Sequence, residues 1–320
     1  MQFAQKMINL KNKKILLTGG GGFLGNYVFE ALIKRRVKKE NIFIPRSQEY
    51  DLRKRSVCNQ VVRNKDIIIH LAALVGGIGF NQKNPASVFY DNASMALNLI
   101  DAAYKSGIEK FVGIGSVCSY PKFSKIPFVE TDLWLGYPEE TNAPYGLAKK
   151  MMLVQSQAYH KQYGFNAIHL LMINLYGPGD NFDPQSSHVV PALIKKIVNA
   201  KKNKLPFIEI WGSGKATREF LYVEDAAKGI ILATEKYDKS DPVNIGCNAE
   251  TSIKDLVGLI CKIIKYKGEV RWDKTKPDGQ PRRMLNADLA KKEFGFISKT
   301  QLNKGLKKTI NWYIKSKSLV

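Results

Sequence analysis

Apolar residues recur along this chain in two alternating patterns. Short, continuously hydrophobic runs at 14–18, 41–44, 66–71, 110–115 and 167–171 are bounded by glycine or polar residues and predict buried strands. Between them, apolar positions recur at helical spacing: Tyr27, Val28, Ala31 and Leu32 after the first run, and Val88, Met95, Leu99, Ala102 and Ala103 within 85–105. A further helix is predicted over 145–163. Strand and helix in strict alternation predict an α/β fold, a doubly wound parallel sheet filling about the first 175 residues. Beyond it the pattern loosens into strands at 208–211 and 220–223, helices at 192–199, 224–235, 253–264 and 304–315, and a polar, kinked loop at 276–283. Residues 176–320 are therefore expected to form mainly a smaller, mixed α/β substrate lobe, with parts of the later segments returning to the first domain.

Composition narrows the class. A chain of 320 residues, 44% hydrophobic, can bury a large core, and no run of about 18 apolar residues is present to span a bilayer. The stretch from Met1 to Lys14 is polar, so a soluble, cytoplasmic protein with no membrane partner is expected. Four scattered cysteines, Cys58, Cys118, Cys247 and Cys261, suit neither a zinc site nor a disulfide framework, and no metal is expected. The formal charge of +22 raises nucleic-acid binding as a competing reading. The lysines, however, are spread along the whole chain without interleaved aromatic platforms, so a solvated basic surface that attracts phosphorylated substrates is the better reading, and no nucleic-acid partner is expected.

The candidate chemistry lies at the ends of the predicted strands. Gly19, Gly22 and Gly25, with Phe23 and Leu24 among them, sit between a strand and a helix, where glycine lets backbone N–H groups approach a pyrophosphate. By itself such a cluster is only a loop; its flanks make it a Rossmann-type dinucleotide site. After the second strand, Arg46 occupies the region where an NAD site usually places a carboxylate, which favours NADP(H) and leaves NAD(H) possible. Asp51 and Leu52 are candidates to contact the adenosine. Leu71, Ala72 and Ala73 end the third strand with room for a dinucleotide, and a glycine-rich loop, Val75 to Gly79, follows on the ligand side of the sheet. Ser116 ends the fourth strand. Tyr145 and Lys149 share a helical face four residues apart, so the ammonium is expected to hold the phenol below its ordinary pKa near ~10. His188 precedes the helix at 192–199, with Ser186 or Ser187 as a candidate cap. Arg218 is a candidate partner for a diphosphate.

With these residues in place, the chain resembles the extended short-chain dehydrogenase/reductases and, within them, the GDP-L-fucose synthase family. The resemblance rests on the glycine motif, Ser116, Tyr145 and Lys149, and on Ala72-Ala73 with Val75-Gly76-Gly77, Ser116-Val117-Cys118 with Tyr120-Pro121-Lys122, and Glu140 to Tyr145. It also rests on Asn174 to Pro178, Asn181-Phe182, Ser187 to Leu193, Trp211 to Gly214, Arg218 to Leu221 and Lys276 to Gly279, and covers about residues 13–288. It implies an NADP(H)-dependent enzyme that inverts C3 and C5 of a GDP-4-keto-6-deoxy sugar and then reduces C4. On this likeness Cys118 and His188 move the protons at carbon, Tyr145 protonates the C4 oxygen, Lys149 supports Tyr145 and the nicotinamide ribose, and Ser116 bonds the carbonyl. Asn174 falls at both the cofactor and the substrate, and Val75, Gly76, Val189, Trp211, Arg218 and Asp278 at the nucleotide sugar. A homodimer through helices 85–105 and 145–163 is implied as well. Two positions depart from the family: Gly21 stands where a basic residue that helps hold the NADP phosphate is typical, and Val117 where a second serine is common. A single-activity relative, either a 4-reductase of another GDP-4-keto sugar such as a heptose or an NAD-dependent nucleotide-sugar epimerase, is the alternative.

Overall fold

The computed structural model describes residues 7–276 and 278–318, apart from the side chains of Ile78 and Ser318. The first six residues of the polar N-terminal stretch, and Pro277 of the Lys276 to Gly279 motif, lie outside the described residues.

In chain order the elements are β1 (Ile15–Thr18), α1 (Phe23–Lys34), β2 (Ile42–Phe43), α2 (Arg55–Val61), β3 (Ile67–His70), α3 (Ile78–Lys83), α4 (Pro85–Lys105), β4 (Lys110–Ser116), α5 (Ala143–Tyr163), β5 (Ala167–Met172) and β6 (Asn174–Tyr176). There follow α6 (Val189–Lys202), β7 (Phe207–Trp211), β8 (Thr217–Tyr222), α7 (Val223–Lys236), β9 (Val243–Ile245), β10 (Glu250–Ser252), α8 (Ile253–Ile264), β11 (Glu269–Asp273), β12 (Arg282–Arg283), α9 (Asp288–Phe294) and α10 (Leu302–Ser318).

Six strands form one parallel sheet in the order β2-β1-β3-β4-β5-β9. Strands β1, β3 and β5 are buried along their whole length, because helices cover both faces of the sheet. One face packs Leu17, Ile69, Val112 and Leu170 with α1 and α7; the other packs Leu16, Ile68 and Phe111 with α4 and α5, which lie side by side. The strand order reverses between β1 and β3, and there the carboxyl ends of the strands open a ligand crevice. A second sheet, β10-β8-β12 with β6 on β8, and a two-stranded pair, β11-β7, carry the later residues around a separate core that includes Ile194, Phe220 and Ile260. Among the described residues no helix is long and apolar enough to cross a membrane.

The differences from the sequence reading have physical causes. Helix α6 begins at Val189, earlier than expected, because Pro191 is tolerated in a first turn, where its missing N–H has no partner to lose. His188 is therefore the N-cap residue, and neither Ser186 nor Ser187 caps the helix. The glycine-rich loop turns helical at Ile78. Strands β6 and β12 lie in stretches read as loops; each is two or three residues long and held by β8, so neither leaves a periodic trace.

Two buried charges mark the joints. Lys110, 1% exposed at the start of β4, donates to the carbonyls of Ala233, Thr234 and Tyr237 at the end of α7, satisfying groups that the helix leaves open. Asp180, 8% exposed in the loop after β6, accepts from Asn181 N at 2.7 Å through one oxygen, while the other has no hydrogen-bond partner among the described residues. Burial pushes its carboxyl up to about 7. A carboxyl raised in the fold stabilises it fully below its unfolded pKa near ~4, and that stability is lost as pH rises through about 7. Asp180→Asn should therefore be more stable than the parent at pH 8, by roughly 2 kcal/mol, and nearly equal to it at pH 4. Urea unfolding of both proteins at the two pH values measures this; a variant no more stable at pH 8 would overturn it.

Candidate active site

The crevice at the strand ends is lined first by the glycine turn. Gly19 adopts φ +69° and lies against β3: a Cβ there would come within 2.7 Å of Ala72 N. Gly25 similarly lets α1 close on the turn, since a Cβ would strike the Gly19 carbonyl oxygen. Gly22 is the N-cap residue of α1, and no side chain takes up the free N–H groups of the first turn, where Phe23 and Leu24 lie. This is the arrangement that a dinucleotide pyrophosphate needs. The far wall is fixed by Thr18, whose hydroxyl pairs with His70 Nδ1 at 2.8 Å and accepts from Ala72 N at 3.3 Å. Asn92 of α4 clamps the following residue, accepting from Leu74 N at 3.1 Å and donating to Leu74 O at 2.8 Å. Leu71, Ala72 and Ala73 are half-buried along this wall.

Arg46 is exposed, and its guanidinium lies over Gly21, where any Cβ would overlap Nη1. Asp51 is engaged by Arg53, whose Nε and Nη2 donate to its two carboxylate oxygens at 2.8 and 3.0 Å. These bonds hold the Asp51 carboxyl below its usual range. Leu52 is packed in the core, 6% exposed.

Four of the candidate residues lie where the turn after β4 meets α5. Ser116 Oγ accepts from Cys118 N at 3.2 Å, which leaves its O–H free to donate. Residues Val117–Ser119 form a 3-10 turn, and α5 presses onto it: a Cβ at Gly146 would collide with the Cys118 carbonyl oxygen, and Ser119 Oγ donates to Gly146 O at 3.0 Å. Tyr145 and Lys149 flank that contact, with Lys149 Nζ 5.7 Å from the Tyr145 ring centroid.

The electrostatics correct the sequence reading. The phenol of Tyr145 is pushed up, not down, first by burial and then by its proximity to Cys118, and Lys149 does not outweigh these effects. Burial also lowers Lys149, which is 4% exposed, to about 8. A phenol kept protonated suits a group that gives a proton to a developing alkoxide.

His188 enters from the other side. Gly77 N donates to Ser186 O at 3.0 Å, and a Cβ at Gly77 would come within 2.7 Å of Ser187 O, so the Val75-Gly76-Gly77 loop is stitched to the segment that carries His188. From the same loop, Asn81 of α3 donates to Oδ1 of Asn142, the N-cap residue of α5, at 3.1 Å. His188 is itself exposed to solvent, and partial desolvation by its surroundings holds the imidazole below the usual histidine range. Val189 opens α6 beside it, half-buried.

The second sheet supplies the remaining candidates. Arg218 Nη2 donates to Asp278 O at 3.5 Å, and burial, with Arg283 nearby, lowers the guanidinium to about 10. Asp278 accepts from Ser213 N and Oγ, both at 2.6 Å, closing the turn after Trp211, which is 67% exposed. Asn174 donates to Glu219 O at 3.0 Å. Four residues that the sequence reading passed over organise these parts: Asn92, Glu219, Gln280 and Arg283. Glu219, fully buried, accepts from the backbone N–H groups of Cys247, Asn248 and Leu285, and so ties β8 to the segments after β9 and β12. Arg283 of β12, paired in register with Arg218, directs Nη1 to Cys118 Sγ at 3.7 Å. Nothing in the sequence pattern singles out Arg283, because its neighbourhood exists only once β12 has joined β8.

Comparison with known proteins places the chain in a family. The chain is 38% identical over 310 residues to a GDP-L-fucose synthase of Sinorhizobium fredii, covering 96% of this chain and 98% of that protein. Among solved structures it superposes on a GDP-L-fucose synthetase from Naegleria fowleri with a TM-score of 0.89 at 28% identity, covering 99% of this chain and 98% of that one. A GDP-mannoheptose C4 reductase from Campylobacter jejuni with NADP bound gives a TM-score of 0.86 at 27% identity, covering 95% and 99%. Residues 15–246, which hold the glycine turn, Ser116, Tyr145, Lys149, Cys118 and His188, match the model of the NAD dependent epimerase/dehydratase family, and the chain belongs to that family.

Proposed function

We propose that the chain is an NADP(H)-dependent epimerase/reductase that converts GDP-4-keto-6-deoxy-D-mannose to GDP-L-fucose. What supports this reading is the junction of β4 and α5, where Ser116 Oγ accepts from Cys118 N and Lys149 Nζ lies by the Tyr145 ring, together with the bond from Gly77 N to the segment that carries His188. The dinucleotide, when bound, supplies the hydride for C4. The protein's own groups do the rest. Cys118 and His188 exchange protons at C3 and C5, where the C4 ketone makes the C–H bonds acidic. Ser116 donates a hydrogen bond to the C4 oxygen throughout, and Tyr145 gives it a proton as the alkoxide forms. Lys149 is the cation left to compensate the phenolate. Arg218, with the Trp211 to Gly214 turn held by Asp278, receives the GDP portion.

Retention of both activities is favoured by the Cys118 and His188 pair. The second reading, a 4-reductase acting on a GDP-heptose, is favoured by the likeness to the Campylobacter jejuni reductase. For the coenzyme, the support is Arg46 over Gly21. The missing side chain at 21 is the space that the Arg46 guanidinium uses, so a cation remains at the position expected for a 2′-phosphate. A second copy of the chain is inferred to dock on α4 and α5, whose exposed Phe89, Tyr90, Leu97, Val154 and Tyr163 are large and apolar.

Incubation with GDP-4-keto-6-deoxymannose and NADPH in deuterium oxide should oxidise the coenzyme and place deuterium at C3 and C5. Oxidation without deuterium would favour the reductase reading, and no oxidation with either coenzyme would remove both. Tyr145→Phe should lower reduction at least ~100-fold while exchange continues, and Cys118→Ser should impair exchange at one carbon. Reduction surviving in the first variant, or full exchange at both carbons in the second, would displace that residue from its role. Arg46→Ala should raise the KM for NADPH about tenfold and leave that for NADH nearly unchanged; equal effects on both would remove Arg46 from phosphate recognition.

A further inference from the structure

Arg283 is 8% exposed, yet among the described residues no carboxylate lies within ion-pair reach of it. Its Nε donates to Gln280 Oε1 at 3.0 Å, and Gln280 in turn donates through Nε2 to Lys122 O at 2.9 Å. Its Nη1 points at Cys118 Sγ, 3.7 Å away. The backbone that carries it is pinned on both sides: Phe128 N donates to Met284 O at 2.8 Å, and Leu285 N donates to Glu219 at 2.7 Å. A buried cation is costly unless it meets an anion, and its placement here is rigid. Glu139, whose charge Arg283 influences, is already bonded to Thr141 and Asn142 and is not its direct partner. Arg218, in register on the next strand, is turned to the Asp278 carbonyl.

We propose that Arg283 is a positioning residue for the Cys118 sulfur, held by Gln280 so that its guanidinium bonds the thiolate whenever Cys118 has released its proton. This rests on the reading of Cys118 as a proton donor and acceptor at carbon. When the S–H proton passes to the substrate carbanion, a C–H bond forms, the S–H bond breaks, and the negative charge moves to sulfur, where Arg283 compensates it. The same bond keeps that charge from Tyr145. The two sites interact, and an uncompensated thiolate would make the phenol a weaker acid. Arg283 thus lets the two devices share one ketone with little mutual interference.

Thiolate reactivity tests this without any sugar. Iodoacetamide is added to the ligand-free full-length protein at pH 7, and alkylation of Cys118 is followed by peptide mass mapping, which separates it from Cys58, Cys247 and Cys261. Arg283→Gln should slow alkylation of Cys118 about five- to tenfold, and Arg283→Lys should restore most of the rate. If Arg283→Gln does not fold, Gln280→Ala, which removes the strut, should slow it about two- to threefold. An unchanged or faster rate in Arg283→Gln, or in Gln280→Ala where only that variant folds, would overturn the proposal. A raised KM for the sugar nucleotide with unchanged alkylation would do so too, leaving Arg283 as a substrate anchor alone. Absence of deuterium exchange in the parent protein, with the alkylation differences intact, would instead overturn the epimerase reading and leave the pairing of Arg283 with Cys118 standing.

Discussion

The close approach of α5 to the turn after β4 is the constraint on which the site depends. A helix can lie against the Cys118 carbonyl only if the residue facing it has no side chain, and Gly146 supplies that gap while Ser119 fastens it with a hydrogen bond. The contact falls between Tyr145 and Lys149 in sequence, so the two groups arrive on either side of it. On the strand side it falls two residues after Ser116. One backbone contact therefore sets the relative position of four candidate side chains, Ser116, Cys118, Tyr145 and Lys149. Further along β4 a second glycine, Gly113, lies against the end of Met152 of α5, so the helix stays close to the strand there too.

Around this junction the charges are separated with some economy. The positive groups of the candidate site come from different elements: Arg46 over the glycine turn, Lys149 beside the Tyr145 ring, Arg283 at the sulfur and Arg218 at the turn closed by Asp278. Each faces a different place where negative charge is present or develops in the proposed chemistry. The net charge of +22 is a separate matter, since most of it lies on dispersed surface lysines that draw in an anionic substrate without distinguishing one from another.

Much of the first domain could be read from sequence because its strands are buried on both faces and its helices on one, which leaves continuous apolar runs beside 3.6-residue periodicity. The placing of Ser116 at a strand end and of Tyr145 and Lys149 on one helix could be read for the same reason, since these neighbourhoods are local in sequence. The later elements were not. Strand β9, the sixth of the parallel sheet, is only Val243–Ile245, and β12 is two residues long, so no window of sequence shows them as strands. Arg283 was overlooked because its partner lies 165 positions away. The behaviour of Tyr145 was misjudged for a related reason: helical spacing brings in Lys149, but the extent of burial, which decides the direction of the shift, is a property of the assembled fold.

Burial also explains why Lys149 can serve a site that it shares with two other bases. His70 on β3 and His169 on β5 flank β4, both in register with Gly113, on the face that α5 covers. Were they protonated, each would repel Lys149. Desolvation first, and Lys149 second, lower both to about 3, so they remain neutral beside the lysine. The cost is visible in His169, whose two ring nitrogens find no hydrogen-bond partner among the described residues. Neutral imidazoles below and a half-buried phenol above leave the Lys149 ammonium, 4% exposed, poorly solvated, which favours any partner able to accept a hydrogen bond from it. In the proposed reaction that partner is the phenolate formed at Tyr145. The sheet thus holds a charge in reserve that is best compensated at the moment the C4 oxygen takes its proton.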